Sequence, residues 1–574
     1  MYKIALIHAV PYNYNYNSSL ALSYLKTYIE KNLNLPVDIR ICSSEEDIIE
    51  FFPQLLGISA TTSVIMEAVA MAGRVKKQTK AMVVLGGYHI TFLPEEIERD
   101  CFDIGVIGEG EKTFTELIEA LALNKSYSEI KGIVYKKNGR AHINPPRPLL
   151  NVEEIPTPDK GRVIYIEGKS SVLSSRGCPY GCKYCSSTAF WKKVRYFSPE
   201  TVVNEIKWNH EYLGADEIIF EDDLFIYPEE RLHKIVDLLE NEGLLSKIKF
   251  LGQVRSNLVT PTVMSALKRL NFNHIRFGAE SGSDRILKMY KPGSSVEHNQ
   301  KLIDMAVESG LNVSAFFMLG FIGEEKEDIL QTISFIKKNE KHLDFIDSSV
   351  FLFQAFPGTE VWNNLDSKFK ADIIENQRWN ELGMLFPLDM DGWGKFLYFN
   401  DAIPRNEFIE LIQLHLSKWI FKHNDWQTLR YKLNWTIENE QPSQETLAWY
   451  QKMIWYVEKV EEILNEGHGC LLYGAGQIGR DCVSNLPFWV KYWLSDTRLR
   501  FGGVVDKNYK SLPAYLDGDV PVLPVEAALK DSNEKILITA PDYFEEIQDA
   551  LLGLGVAKSR IIPVPKKFPD VGGA

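Results

Sequence analysis

Over the first 123 residues, short apolar runs alternate with stretches whose apolar positions recur at helical spacing. Lys3–Val10, Val37–Cys42, Leu55–Ala60, Ala81–Leu85 and Ile104–Ile107 read as strands, and Ser18–Lys31, Val64–Lys77 and Lys112–Ala122 as helices. Strands that are apolar throughout must be buried on both faces, so helices cover both sides of a parallel sheet. Five such units in series predict a doubly wound, flavodoxin-like α/β domain. Gly132–Tyr135 and Ala141–Ile143 flank Asn138-Gly139, which predicts a hairpin. Pro145, Pro146, Pro148, Pro156 and Pro158 then mark a linker.

The alternation resumes at Ser171. Val172–Ser175, Glu217–Phe220, Lys249–Val254, His274–Phe277, Val313–Leu319 and Ile346–Phe353 read as strands. Pro199–Leu213, Glu229–Asn241, Thr262–Leu270, Val296–Ser309 and Lys326–Asn339 read as helices; in the second, Leu232, Ile235, Val236 and Leu239 share one face. This series predicts a partial or full β/α barrel with its chemistry at the C-terminal strand ends. Seven of the twelve tryptophans fall between Trp379 and Trp455, in a stretch of helical periodicity. They read as core, or as a lid over a substrate pocket. From Gly469 a third α/β unit begins, with strands Cys470–Tyr473, Gly503–Val505 and Ile536–Thr539 and a helix from Phe544 to Leu554. The expected domains are residues 1–150, 160–365, 366–465 and 466–574.

Composition narrows the functional classes. A net charge of −13 disfavours general nucleic-acid binding, which calls for a basic surplus. No stretch of about 18 uncharged apolar residues occurs, so no membrane span is expected. The N-terminus lacks the basic and apolar regions of a secretory leader. Seven cysteines, sparse and odd in number, fit a reducing cytoplasm, where clustered thiols serve metals or catalysis.

Three of those thiols are clustered. Ser174-Ser175-Arg176-Gly177-Cys178-Pro179-Tyr180-Gly181-Cys182-Lys183-Tyr184-Cys185 follows a predicted strand directly. Thiolates select iron–sulfur clusters, zinc or copper(I). A 4Fe–4S cluster needs four ligands, so Cys178, Cys182 and Cys185 leave one iron open to bind a reactant. Gly177 and Gly181 would let the backbone wrap closely round a bulky cluster. A zinc site lacks a fourth ligand at finger-like spacing, and a Cys182–Cys185 redox pair leaves Cys178 unexplained.

Residues 165–360 resemble the radical S-adenosylmethionine superfamily, whose cluster loop has this spacing. The resemblance implies that S-adenosylmethionine chelates the open iron and is cleaved reductively to a 5′-deoxyadenosyl radical. Tyr184 matches the aromatic position that packs near the adenine. Asp222 and Asp223 end the second strand, where carboxylates meet the methionine ammonium. Gln253 and Arg255 end the third and suit the carboxylate or ribose; Glu280 and Ser281 end the fourth and suit ribose hydroxyls. Met318-Leu319-Gly320-Phe321 and Pro357-Gly358-Thr359 follow the family's later pattern. The structural alternative for each carboxylate is a helix cap or a salt bridge on the barrel rim.

The first 150 residues, taken with the barrel, resemble the cobalamin-binding subclass. Ser59 and Thr61 follow the third strand, Gly86, Gly87, His89 and Thr91 the fourth, and Gly108 and Glu109 the fifth. Small residues at strand ends let a corrinoid approach the backbone. Tyr12 lies in the loop after the first strand. That loop contains no histidine, and His8 lies within the strand, so the resemblance implies cobalamin held base-off without a histidine ligand. Near the C-terminus, Gly474-x-Gly476-x-x-Gly479 follows a strand and opens a helix, and Asp506 ends the next strand. This Rossmann-like turn suits a nucleotide phosphate, or serves docking alone.

The resemblance implies a cobalamin-dependent radical S-adenosylmethionine C-methyltransferase that methylates an unactivated carbon through the 5′-deoxyadenosyl radical and methylcobalamin. Its expected partners are a small-molecule substrate, nucleotide- or sugar-linked if the C-terminal turn binds it, and a reductant such as flavodoxin or ferredoxin. A cyclase or other oxidative rearrangement enzyme keeps the same cofactors. A corrinoid- and nucleotide-binding regulator would not need the complete set of cluster thiols.

Overall fold

The structure is a computed structural model that describes residues 1–9, 20–158, 168–344, 347–383 and 396–420. Beyond these it describes 448, 451, 452, 454–456, 459, 460, 463, 469–473, 501–505, 515, 516, 520–523, 534–539, 544–562 and 564. The chain divides into two compact units, Met1–Arg405 and Asn406–Ala574.

The first unit opens with a seven-stranded sheet. Its strands are β1 (Tyr2–His8), β2 (Val37–Ile41), β3 (Leu55–Ser59), β4 (Met82–Gly86), β5 (Ile104–Val106), β6 (Ile133–Lys137) and β7 (Arg140–Ile143). Their spatial order is β2-β1-β3-β4-β5-β6-β7, and the first five run parallel. That is the flavodoxin-like order the sequence predicts. The expected hairpin forms as β6–β7 and extends the sheet edge antiparallel to β5. Apolar clusters lie on both faces. One joins Ile58, Leu85 and helix Ile65–Thr79; the other joins Leu6, Val84, Phe114 and Leu22.

The second sheet contains β8 (Lys169–Val172), β11 (Glu217–Phe220), β12 (Lys249–Val254), β13 (Phe272–Glu280), β14 (Asn312–Leu319) and β15 (Ser349–Leu352). They pair in parallel in chain order, a six-stranded half-barrel. The connecting helices follow local signals. Pro199–Leu213 starts where the Ser198 hydroxyl accepts from Thr201 N and stops at Gly214, whose φ is +68°. The core runs without a break from the first sheet into the half-barrel, and Phe321, Phe353, Trp362 and Trp379 belong to the same cluster as Ile58. Trp379 is fully buried in it, as the core reading of that tryptophan expects.

Several expectations need correction. The strand expected at Val172–Ser175 breaks after Val172. Ser175–Arg176 (β9) instead pairs antiparallel with Arg195–Tyr196 (β10), because buried Asp222 takes the amide of Ser174. The strand at His274–Phe277 is longer, running to Glu280. Two short helices, Glu45–Phe51 and Tyr88–Phe92, carry no helical periodicity long enough to read from sequence.

The second unit holds β16 (Gly469–Tyr473), β17 (Phe501–Val505), β18 (Tyr515–Leu516), β19 (Val520–Leu523), β20 (Glu534–Ile538) and β21 (Ile561–Ile562), ordered β18-β19-β17-β16-β20-β21. All neighbours are parallel except β18 and β19. Helix Phe544–Gly553 packs through Leu551 against Ile536 and Ile538. Tyr12, Gly474, Gly476, Gly479 and Asp506 lie outside the described residues.

Candidate functional site

The cysteine loop leaves β9 at Gly177, whose φ of +91° suits only glycine; a Cβ there would come within 2.9 Å of Trp191. Gly181 has open space at the same position, so the local backbone does not require glycine there. Cys178 and Cys182 are half-buried and Cys185 is exposed. The protein crowded round the sulfurs raises the Cys178 thiol and pushes that of Cys185 up to about 12, although Cys185 is exposed as a residue, with Asp223 and Cys182 adding to each. The three sulfurs are therefore electrostatic neighbours. Among the described residues no His, Cys, Asp and Glu side chains converge on one point as a single ion requires. A cubane takes one thiolate per iron, which is what a loop of three thiols offers. A metal centre would draw them down as thiolates.

Arg255 backs this loop. Its Nη1 donates to Cys182 Sγ at 3.3 Å, Nη2 to Pro292 O at 2.6 Å and Nε to Asn257 at 2.8 Å. The guanidinium lies 4.0 Å over the Tyr180 ring. Arg255 thus ties the cysteine loop to the segments at Asn257 and Pro292, one of its donors meeting Cys182. Gln253 is exposed at the end of β12.

The two aspartates part ways. Asp222 is sealed, accepting from Ser174 N at 3.0 Å, Ser174 Oγ at 2.8 Å and Ser175 Oγ. It fixes the strand leading into the cysteine loop and is buried away from the solvent at the mouth. Asp223 is exposed at the mouth, accepts from Ser187 Oγ at 2.5 Å, and is held above the usual carboxylate range by the protein crowded round it.

Glu280 ends β13 with φ +62°, a left-handed conformation that a glutamate keeps only where its surroundings demand it. Its carboxylate pairs with buried Lys291 at 2.9 Å. The Tyr184 phenol faces it and is raised far above its ordinary range by burial and then by that carboxylate. Ser281, expected to face a ribose, is fully buried and bonded to Thr332 at 3.0 Å and to Ser283 N at 3.1 Å.

Across the mouth, the C-terminal ends of β1, β3, β4 and β5 enclose a cavity of about 310 Å³. Ser59, Thr61, Gly86, Gly87, Gly108 and Glu109 line it. Gly87, at φ +97°, passes so close to the β3 turn that a Cβ would lie 2.7 Å from Ala60 O. Thr91 joins the two glycine turns, donating to Gly87 O at 2.7 Å and accepting from Gly108 N at 3.0 Å. His89 points the other way. It is fully buried, 3.1 Å from Thr62 Oγ1, and edge-on to Trp379 at 5.1 Å. Burial lowers its pKa, and it serves the core instead of the cavity.

The far wall of the cavity belongs to the half-barrel, through Leu173, Arg176, Phe190 and Trp191. Arg176 pairs with Glu109 at 2.7 Å and Glu111 at 2.6 Å, and Arg195 grips Glu109 at 2.8 Å. All four side chains are buried. Glu109 is therefore a clasp between sheet and half-barrel. Tyr88 stacks on Phe190 at 4.2 Å, and its phenol is raised by burial, then by Asp223 and Cys185. Sequence reasoning passed over Tyr88, Arg176, Arg195 and Lys291. Only an aromatic beside a glycine pair, and an arginine two places before the first cysteine, hinted at the first two.

Two families match this chain: the radical SAM superfamily over residues 172–336 and the B12 binding domain over residues 14–118. An uncharacterized methyltransferase of Pyrococcus horikoshii, PH0819, is 34% identical over 386 residues, 64% of this chain and 82% of that one. The chain belongs to the radical SAM superfamily and carries a B12 binding domain. A second relative of this radical SAM protein is the anaerobic magnesium-protoporphyrin IX monomethyl ester cyclase of Rubrivivax gelatinosus, 23% identical over 61% of this chain and 65% of that one. Among solved structures, the cobalamin-dependent S-adenosylmethionine radical enzyme OxsB, with aqua-cobalamin and S-adenosylmethionine bound, superposes with a TM-score of 0.57 at 17% identity. That match covers 81% of this chain and 71% of OxsB, and it is a likeness of fold. The cofactor set is a 4Fe–4S cluster, S-adenosylmethionine and cobalamin. Among the described residues no helix is long and apolar enough to cross a membrane.

Proposed function

We propose that this radical SAM protein is a cobalamin-dependent C-methyltransferase acting on an unactivated carbon of a small molecule. One observation carries the reading: the cavity at the B12-type strand ends shares a wall with the segments on either side of the cysteine loop, through Arg176 before it and Phe190 and Trp191 in the short helix after it. When bound, the cluster and S-adenosylmethionine supply a 5′-deoxyadenosyl radical, and cobalamin supplies the methyl group. The chain holds and aligns them. Cys178, Cys182 and Cys185 hold the cluster, and Arg255 donates to a ligand sulfur. Tyr184, Glu280 and Lys291 form the S-adenosylmethionine side, with Asp223 and Gln253 open at the mouth. Ser59, Thr61, Gly86, Gly87 and Gly108 receive the corrinoid. The sequence pattern of Gly474, Gly476, Gly479 and Asp506 suits a nucleotide- or sugar-linked substrate. A cytoplasmic flavodoxin or ferredoxin completes the reading as electron donor.

Product stoichiometry on the anaerobically reconstituted protein tests it. Methylation turns two S-adenosylmethionines into one 5′-deoxyadenosine and one S-adenosylhomocysteine per product. 5′-Deoxyadenosine without S-adenosylhomocysteine would move the protein to the cyclases among its relatives.

A further inference from the structure

Strand β13 is irregular at its C-terminal end. Gly278 pairs with Phe316 and Glu280 with Phe317, so Ala279 is an extra residue, a bulge. Bulges re-aim side chains and gather beside active sites. Glu280 takes its left-handed φ of +62° here, a conformation that is costly for any residue but glycine. Its carboxylate folds back over Gly278, where a Cβ would collide with Glu280 Oε1. Lys291, the residue after helix Asp284–Tyr290, holds it there. The Lys291 Nζ donates to Glu280 Oε1 at 2.9 Å and to Gly278 O at 2.5 Å, so two of its three N–H groups go to the two ends of the bulge. The lysine is only 5% exposed, so what it presents to the mouth is the glutamate and not its own ammonium. Tyr184, one residue before the third cysteine, faces the same carboxylate, which puts this acceptor beside the cluster loop. A buried ion pair is a poor source of stability, and this one comes with backbone strain. Together they hold one carboxylate in one place.

We propose that Lys291 is a positioning residue for S-adenosylmethionine: by turning Glu280 back over Gly278 it fixes the acceptor that tells an adenosyl ribose from a deoxy one. The inference rests on the S-adenosylmethionine reading of Glu280 above and adds the residue that aims it. A carboxylate free to rotate spreads over several rotamers and meets the ribose in few of them. A clamped one has lost that freedom before the ligand arrives.

The test is equilibrium dialysis of the full-length, anaerobically reconstituted protein with its cluster left oxidised, so that no turnover occurs. The probes are S-adenosylmethionine and its analogue lacking both ribose hydroxyls. The unaltered protein should prefer S-adenosylmethionine by at least about tenfold, the worth of one hydrogen bond to a charged acceptor. Lys291→Met should abolish that preference by weakening S-adenosylmethionine about tenfold, with the analogue and the iron content unchanged. Lys291→Arg, which can still meet Glu280, should recover part of it. A preference kept in Lys291→Met overturns the proposal, as does an unaltered protein without one. So does an equal loss of both ligands, which would mean damage to the fold alone. If Lys291→Met does not fold, Glu280→Gln alone and Glu280→Gln with Lys291→Met carry the test. The first, still aimed by the lysine, should keep part of the preference and the second none; equal preference in the two overturns the proposal. Failure of the unaltered, cluster-loaded protein to bind either ligand would instead sink the S-adenosylmethionine reading itself.

Discussion

Arg255 reaches the proposed cluster site through a single hydrogen bond. Its guanidinium donates to Cys182 Sγ at 3.3 Å, and hydrogen bonds to cluster sulfurs raise a cluster's reduction potential. Arg255→Met should lower the midpoint seen in an electron paramagnetic resonance titration. If reduction strengthens that bond by about 1.4 kcal/mol, the drop is about 60 mV for one electron. An unmoved midpoint would mean the contact is packing only. Glu324 makes a second prediction. Its carboxylate accepts from Gly320 N at 2.6 Å and Phe321 N at 3.1 Å, and burial raises its pKa from 4.5 to about 8. The folded state thus binds a proton that the unfolded chain releases near 4.5. Its contribution is full below that value and is lost as the pH rises to about 8. The loss is on the order of 5 kcal/mol as an upper bound. Thermal melts should show stability falling across that window, and Glu324→Gln should flatten the fall. The sequence placed Asp222, Ser281 and His89 correctly at strand ends and missed what they touch. Neighbouring residues at a strand end face opposite ways, so one turns to the site and the next to the core, as Asp223 and Asp222 do.

Between elements, the decisive contact is the clasp of Glu109 by Arg176 and Arg195. The two arginines stand opposite each other on β9 and β10, and Glu109 follows the glycine turn after β5. Removing the carboxylate charge leaves buried guanidinium groups short of a partner, a change that costs about 3–5 kcal/mol in buried pairs. Glu109→Gln should lower the melting temperature and, in protein that stays folded, loosen both cobalamin and cluster loading. A variant that loses cobalamin while keeping a full cluster would show that Glu109 is a direct corrinoid contact, as its loop position first suggests. At this scale the sequence was most legible. Pro199–Leu213, Glu229–Asn241 and Lys326–Asn339 form over the predicted residues, because each is long enough for its period to show; Ser198 and Gly214 bound the first, and a capping box of Glu325 and Asp328 starts the third. Helix Tyr88–Phe92 has five residues, too few for a period to show, and tertiary contacts such as Tyr88 on Phe190 hold it in place. The β9–β10 pairing was equally hidden, since two-residue strands carry no alternation.

For the whole molecule, the two units divide the work. The radical SAM and B12 binding matches and the continuous core between them lie within Met1–Arg405, and the tryptophan-rich stretch is shared across the boundary, with Trp379 on the first side. The periodicity of residues 366–465 marked helix without marking where one core ends, because a core boundary is set by which faces pack together and not by the period itself. Asn406–Ala574 builds its own sheet with its own small core round Ile536, Ile538 and Leu551. A chain ending at Arg405 should therefore fold and, after anaerobic reconstitution, take up one 4Fe–4S cluster and one cobalamin. It should also cleave S-adenosylmethionine without substrate at close to the full-length rate, since that reaction needs only the first unit. If the glycine turn at Gly474, Gly476 and Gly479 holds a nucleotide-linked substrate, Gly476→Val in the full chain should raise the substrate KM. The clash of a side chain with a phosphate is worth about 1–3 kcal/mol, and the cofactor spectra should be untouched. If the second unit serves docking alone, the same substitution should change sedimentation or melting and leave KM where it was. Loss of cobalamin or cluster from the shortened chain would contradict the division, because it would make the second unit part of the cofactor site.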